Sequence, residues 1–256
     1  MTAWNKKSLC LVSGASQGIG REIAIQFAGK LPSGSTIILT ARSENGLNET
    51  SSLISKANSS IITKIFPYDM SNPKEKDFTS LLSAFSPNDW EQFILVHNAG
   101  TEGTGRPVKD CSNPEEWQKY MSLNLYSMVL LTSAFLKTFK NDEKTIIVNI
   151  TSLAAVQAIA GFGEYCVGKA SREMYMKVLS AESPSLRLLN YSPGPVGTDM
   201  VDRCISKIDF SETRGMFEKM KTEGTLVKAP DTVKKLVNII ESGLPAYLRV
   251  DYFDRD

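Results

Sequence analysis

The chain is poor in the residues that most enzyme chemistries need. Of its 256 residues, one is histidine (His97) and four are cysteine: Cys10, Cys111, Cys166 and Cys204. No two cysteines form a Cys-x-x-Cys pair, so neither metal ligation nor a disulfide framework is expected. A lone histidine without triad partners or fellow ligands reads as structural. Long apolar runs are also missing: none approaches the ~20 residues that span a bilayer. No apolar signal core precedes the first strand-like run, and the last residues form no lipidation or peroxisomal signal; cytoplasm is the expected compartment. Net charge is only +1, which leaves no broad field for nucleic acid or an anionic membrane. Repeats, low-complexity tracts and linkers are absent, so residues 1–256 are expected to form one domain. Four Asn-x-Ser/Thr matches, at Asn48, Asn58, Asn149 and Asn190, read as chance.

A soluble core is what remains, with 42% hydrophobic and 22% charged residues. Apolar runs read as buried strands over residues 8–13, 35–41, 61–66, 93–96, 145–150, 186–191 and 247–250. Helical patterns fall between them, over the stretch after residue 18 and over 115–139, 164–180 and 231–241. This alternation predicts an α/β fold with a parallel sheet covered on both faces. Residues 201–227 are polar and weakly periodic, and read as a substrate lid.

The first strand runs into Gly14-Ala15-Ser16-Gln17-Gly18-Ile19-Gly20, spaced G-x-x-x-G-x-G, and then into an amphipathic helix. Strand, glycine turn and helix open a dinucleotide-binding unit, in which backbone and helix N-terminus approach a pyrophosphate. Arg42 and Ser43 follow the second strand, where an acid would select NAD; Arg42 suits the 2′-phosphate of NADP instead. Asp69 and Met70 end the third strand, a position for adenine contacts. After the fourth come His97 and then Asn98-Ala99-Gly100, small residues that let backbone approach a cofactor. After the sixth, Val196-Gly197-Thr198-Asp199-Met200 suits the nicotinamide.

The chemistry concentrates in residues 152–169. Ser152 follows the fifth strand, and Tyr165 and Lys169 stand four apart, on one helix face. A phenol with a pKa of about 10 is a poor acid at neutral pH, and a neighbouring cation is expected to lower it. Asn124 interrupts an apolar helix face formed by Met121, Leu125 and Met128. It reads either as a core brace or as the holder of a water.

Together, SGASQGIG, HNAG, Asn124, Ser152, Tyr165-x-x-x-Lys169 and PGPVGT resemble the short-chain dehydrogenase/reductase family over nearly the whole chain. The resemblance implies a single Rossmann-like, doubly wound domain with a seven-stranded parallel sheet. It assigns Tyr165 as proton donor, Lys169 as its partner and a ribose ligand, Ser152 as hydrogen-bond donor to the carbonyl oxygen, and Asn124 as water holder. NADPH is the implied cofactor, although Gln17 stands where related NADPH enzymes often carry arginine. ILTARSE, YSPGPVGTDM and the ending RVDYFDRD extend the similarity to members that reduce side-chain carbonyls of 6-substituted pterins in tetrahydrobiopterin synthesis. On that footing Asp251 anchors the pterin, with Leu153 and Gly194 lining the pocket. A homodimer through the helices near 115–139 and 164–180 is also implied. The alternatives are a broader carbonyl or dicarbonyl reductase, and a non-catalytic NADP-binding regulator.

Overall fold

Neighbouring residues along the central strands go to opposite hydrophobic layers. In Ser8–Ser13 (β1), Cys10 and Val12 join one layer and Leu9 and Leu11 the other. That is the period-2 alternation of a sheet buried on both faces. The structure, a computed structural model, describes residues 3–254. β1 is followed by α1 (Gly18–Lys30), β2 (Thr36–Ala41), α2 (Glu44–Ala57), β3 (Ile62–Pro67), α3 (Glu75–Leu82) and β4 (Gln92–His97). Then come α4 (Pro114–Met121), α5 (Ser127–Phe139), β5 (Thr145–Ile150), α6 (Gly163–Glu182) and β6 (Arg187–Ser192). The chain continues through α7 (Asp199–Lys207), α8 (Ser211–Thr222), α9 (Ala229–Glu241) and β7 (Tyr247–Asp251). Among the described residues the seven strands make one parallel sheet, ordered β3-β2-β1-β4-β5-β6-β7. The doubly wound, seven-stranded, single-domain α/β expectation therefore holds.

One layer packs α1, α2 and α9 on the sheet through Ile23, Phe27, Leu47, Ile54, Val233 and Leu236. The other packs α3, α5 and α6 through Phe78, Leu82, Leu131, Phe135 and Met176. The strand order reverses at β1, which lies between β2 and β4. A crevice opens there beyond the strand ends.

Three stretches differ from the sequence expectation. The single helix expected over 115–139 is broken by a π turn at Ser122–Tyr126. Inside it, Asn124 Nδ2 donates to the Tyr120 carbonyl at 3.0 Å. A side-chain amide thus takes the acceptor of the preceding turn, which disrupts the α-helical ladder. Residues 201–227 are not irregular: they hold most of α7 and all of α8. Only Val201 and Cys204 of α7 and Thr213 of α8 are buried, which explains the weak periodicity. Finally, α2 and α3 were not individually expected, because each buries only two or three side chains. Arg255 and Asp256, the end of the RVDYFDRD run, lie outside the described residues.

Candidate active site

The glycine turn sits where β1 hands over to α1. Gly14 and Gly18 adopt positive φ, 68° and 56°, which L side chains rarely do. A Cβ at Gly20 would overlap the Gly14 carbonyl oxygen and Asn98 Nδ2. Asn98 Nδ2 donates to the carbonyls of Ser13 and Gly14, both at 3.1 Å, so the turn is braced from β4. Ala15 is buried beneath it. The first turn of α1 has no side-chain cap. Its N-terminal amides therefore have no side-chain anion of their own, as a phosphate cradle requires. Ser16 packs against Gly46, and Gln17 Nε2 donates to Asp199 Oδ2 at 3.1 Å, joining the turn to the start of α7.

The adenosine end is more dispersed. Arg42 is exposed beyond β2, and the Ser43 hydroxyl accepts from the Gly46 amide at 3.1 Å as the cap of α2. Asp69 accepts from the Ser71 amide at 2.9 Å; that bond, with Arg42 nearby, holds its carboxyl below the usual range despite some burial. Met70 is buried in the α3/α5 layer, so its side chain is core. Gly197 and Asp199 are exposed at the turn into α7.

A cavity of about 950 Å³ lies between the strand ends and α7/α8. It brings together Ile19, Asn98, Gly100, Ser152, Leu153, Tyr165, Lys169, Gly194, Val196, Thr198, Met200 and Asp251 from six separated stretches of chain. Asp251 reaches it because β7 pairs in register with β6, setting Asp251 beside Ser192. Gly194 has φ 74°, and a Cβ there would press on Val227 and Phe253. Asn124 does not line the cavity. Its Oδ1 accepts from the Thr101 amide at 2.8 Å, so it braces the segment after β4, one of the two roles its sequence position suggested.

Electrostatics within the site depart from the simplest expectation. Burial, partly offset by a hydrogen bond with the Ser152 side chain, pushes the Tyr165 phenol up to about 12. Lys169 Nζ lies 5.4 Å from the centre of the Tyr165 ring and donates to the Ile150 carbonyl at 2.7 Å. Burial, with the Arg172 charge beside it, holds the Lys169 pKa well below the ordinary lysine range. The four-residue spacing therefore places the pair together but does not by itself depress the phenol pKa. Desolvation is the largest influence on both groups.

Three groups overlooked in the sequence organise this site. Arg172 is 1% exposed and donates to Asn149 Oδ1 (2.8 Å), the Ala99 carbonyl (3.0 Å) and the His97 carbonyl (2.8 Å). It ties α6 to the ends of β4 and β5. Its signal was a charge three residues after Lys169 and seven after Tyr165, on the same helix face. Glu102, also buried, accepts from Arg203 Nε and Lys207 Nζ, each at 2.9 Å. This joins the loop after β4 to α7. Glu164, beside Tyr165, accepts from the Thr104 amide and hydroxyl at 2.6 and 2.7 Å and holds the same loop. His97 is buried and bonded to Thr132 at 2.8 Å; burial, with Arg172, keeps it neutral, in keeping with a structural role. Among the described residues, no cluster of three or more His, Cys, Asp or Glu could hold a metal ion. No described helix is long and apolar enough to cross a membrane.

Residues 8–209 match the family model described as short chain dehydrogenase. Sepiapterin reductase of Meriones unguiculatus is 34% identical over 256 residues, covering 96% of this chain and 97% of its own. Benzil reductase ((S)-benzoin forming) of Bacillus cereus is 28% identical, covering 91% of this chain and 93% of its own. Among solved structures, a short chain dehydrogenase of Shigella flexneri 2a complexed with NADP superposes with a TM-score of 0.77 at 24% identity. That match covers 98% of this chain and 99% of the other.

Proposed function

The chain belongs to the short chain dehydrogenase family and is an oxidoreductase, and on that premise we propose that it is an NADPH-dependent reductase of pterin side-chain carbonyls, of the sepiapterin reductase kind. The observation that carries the reading is Asp251, a carboxylate in the same cavity as Ser152 and Tyr165. A pterin offers a ring N–H and an exocyclic amino group side by side, and one carboxylate accepts from both. That end anchors the ring, and the side-chain carbonyl then meets Ser152 and Tyr165.

The uncapped α1 N-terminus and the Gly14–Gly20 turn fit a dinucleotide pyrophosphate, and Arg42 and Ser43 receive the 2′-phosphate. Asp69 and the main chain of Met70, whose side chain is core, border the adenine, while Asn98, Ala99 and Gly100 and the 196–200 turn flank the nicotinamide. The bound cofactor supplies hydride to the carbonyl carbon. Ser152 donates a hydrogen bond to the carbonyl oxygen as charge develops there. Tyr165, protonated at neutral pH, delivers its proton to that oxygen. Lys169 holds the nicotinamide ribose, and Asn124, its side chain bonded to Thr101 and Tyr120, offers its main-chain carbonyl to the water through which the phenol is reprotonated. α7 and α8 form the lid. Two copies pair across α6 and across α5 with the π turn before it, where Tyr126, Val167, Met174 and Val178 are exposed. The working compartment is the cytoplasm.

A second reading, a broader dicarbonyl reductase, is favoured by the apolar lid side of the cavity: Met200, Met216, Phe217 and Met220. Flexible thioethers adapt to varied ligands. Cofactor absorbance followed with sepiapterin and with 2,3-butanedione, each with NADPH and NADH, separates the two. Sepiapterin with NADPH is expected to be preferred. Asp251→Ala is expected to cut sepiapterin turnover while sparing the diketone; equal losses on both would defeat the pterin anchor. Tyr165→Phe is expected to abolish reduction of both with NADPH binding intact.

A further inference from the structure

Phe253 has no part in the core, yet its position is closely held. The residue is 66% exposed and lies on the wall of the active-site cavity. An exposed phenylalanine on a loose tail would need no explanation, but this backbone is pinned on several sides. The Phe253 amide donates to Asp251 Oδ1 at 3.1 Å, and the Asp251 amide donates to Asp254 Oδ2 at 2.7 Å. Lys235 of α9 donates to the Tyr252 carbonyl at 3.1 Å and to the Asp254 carbonyl. The Phe253 ring meets Tyr252 edge to face, with centroids 5.2 Å apart. Across from it, a Cβ at Gly194 would come within 3.3 Å of Phe253 Cε2. The glycine leaves the ring its place at the rim.

The same short turn therefore fixes a carboxylate and an aromatic ring at one end of one cavity. One hydrogen bond ties the carboxylate to the main chain that carries the ring, so a single turn positions both. Asp251 Oδ1 spends one lone pair on the Phe253 amide, and the carboxylate retains acceptor sites for two further donors. An acceptor pair beside an apolar ring suits a flat heteroaromatic bicycle with adjacent N–H donors. It does nothing for a small diketone, which has neither donors nor a ring.

We propose that Phe253 is a specificity-determining residue, packing against the flat ring of the substrate that Asp251 anchors. This rests on the pterin-reductase reading above. Losing an aromatic contact of this kind is expected to cost Phe253→Ala about tenfold in sepiapterin affinity.

The test uses the full chain with NADPH. Phe253→Ala, Phe253→Leu and Phe253→Tyr are compared with wild type for KM and kcat on sepiapterin and on 2,3-butanedione. Quenching of biopterin fluorescence by the protein with NADP⁺ is measured in parallel. Expected for Phe253→Ala is a KM for sepiapterin raised about tenfold with little change in kcat, together with weaker biopterin quenching. Diketone kinetics are expected to stay at wild-type values, and Phe253→Tyr to retain sepiapterin affinity. Phe253→Leu should fall with alanine if ring stacking matters. A sepiapterin KM within about twofold of wild type for Phe253→Ala overturns the proposal, as does an equal loss on both substrates. If wild type prefers sepiapterin and Asp251→Ala destroys that preference, such a result defeats the Phe253 role alone. A wild type without sepiapterin preference defeats the pterin reading and this role with it.

Discussion

Glu102 gives a sharp test of how the loop after β4 holds α7, because the two sides of its ion cluster differ in burial. The carboxylate side chain is 4% exposed, whereas those of Arg203 and Lys207 are 42% and 45% exposed. Burial pushes the Glu102 carboxyl up, but hydrogen bonds from Arg203 and Lys207 more than offset it, leaving it below its ordinary value. Glu102→Gln removes the charge but frees two cations that return to water, at a cost of about 1–2 kcal/mol. Arg203→Ala with Lys207→Ala does the opposite. It strands a buried carboxylate whose remaining side-chain partner is the Thr101 hydroxyl at 3.0 Å, at a cost of about 3–5 kcal/mol. Urea unfolding followed by tryptophan fluorescence should show the double cation variant losing about 1 M or more in midpoint, well beyond Glu102→Gln. Adding Glu102→Gln to the double variant should recover much of that loss, since no buried charge is then left. The wild-type contribution carries a depressed carboxyl pKa, so it is present at neutral pH and is lost as pH falls through the folded value. In the double variant the carboxyl pKa is raised instead, and its deficit should shrink on acidification. A triple variant no more stable than the double would refute the reasoning.

The other predictions concern the glycine turn, the lone histidine and the phenol. Gly20→Ala should weaken NADPH binding at least about tenfold by fluorescence titration, because its methyl would displace Gly14 or Asn98. His97 is held neutral with a pKa well below its ordinary value, so the unfolded chain binds the extra proton first. Stability should therefore fall as pH drops below about 6.5, by up to about 1.4 kcal/mol per unit, and His97→Asn should flatten that slope in thermal melts. With the Tyr165 phenol at about 12, reduction should run flat from about pH 6 to about pH 9, while the reverse oxidation should rise with pH. A reduction rate that fell across neutrality would mean a far lower phenol pKa.

Much of this architecture is legible locally. β1 and β5 fall where the apolar runs place them, and the other strands shift by a residue or so. Gly14 and Gly18 carry the positive φ that their spacing after a strand suggests. The break at Ser122–Tyr126 was hidden, because Asn124 interrupts the apolar pattern without revealing that its amide binds the Tyr120 carbonyl. α7 and α8 were hidden for a different reason. They cover a cavity rather than a core, so few of their residues are buried and the 3.6-residue signal fades. Arg172 was visible as a charge on the Tyr165–Lys169 face, but its three acceptors come from distant β4 and β5.

By itself the amino-acid sequence determined the alternation of strands and helices, the phosphate-type turn and the Tyr165–Lys169 pair. Each is a pattern within a few turns of chain, written by backbone periodicity and the freedom of glycine. Only the tertiary structure decided which distant groups share the cavity. Parallel pairing of β7 with β6 carries Asp251 and Phe253 to Ser152 and Tyr165, and packing of α7 on the loop after β4 buries Glu102. It also set the state of the catalytic pair, since the pKa of a phenol or an ammonium follows how far folding removes it from water. Sequence spacing does not record that removal.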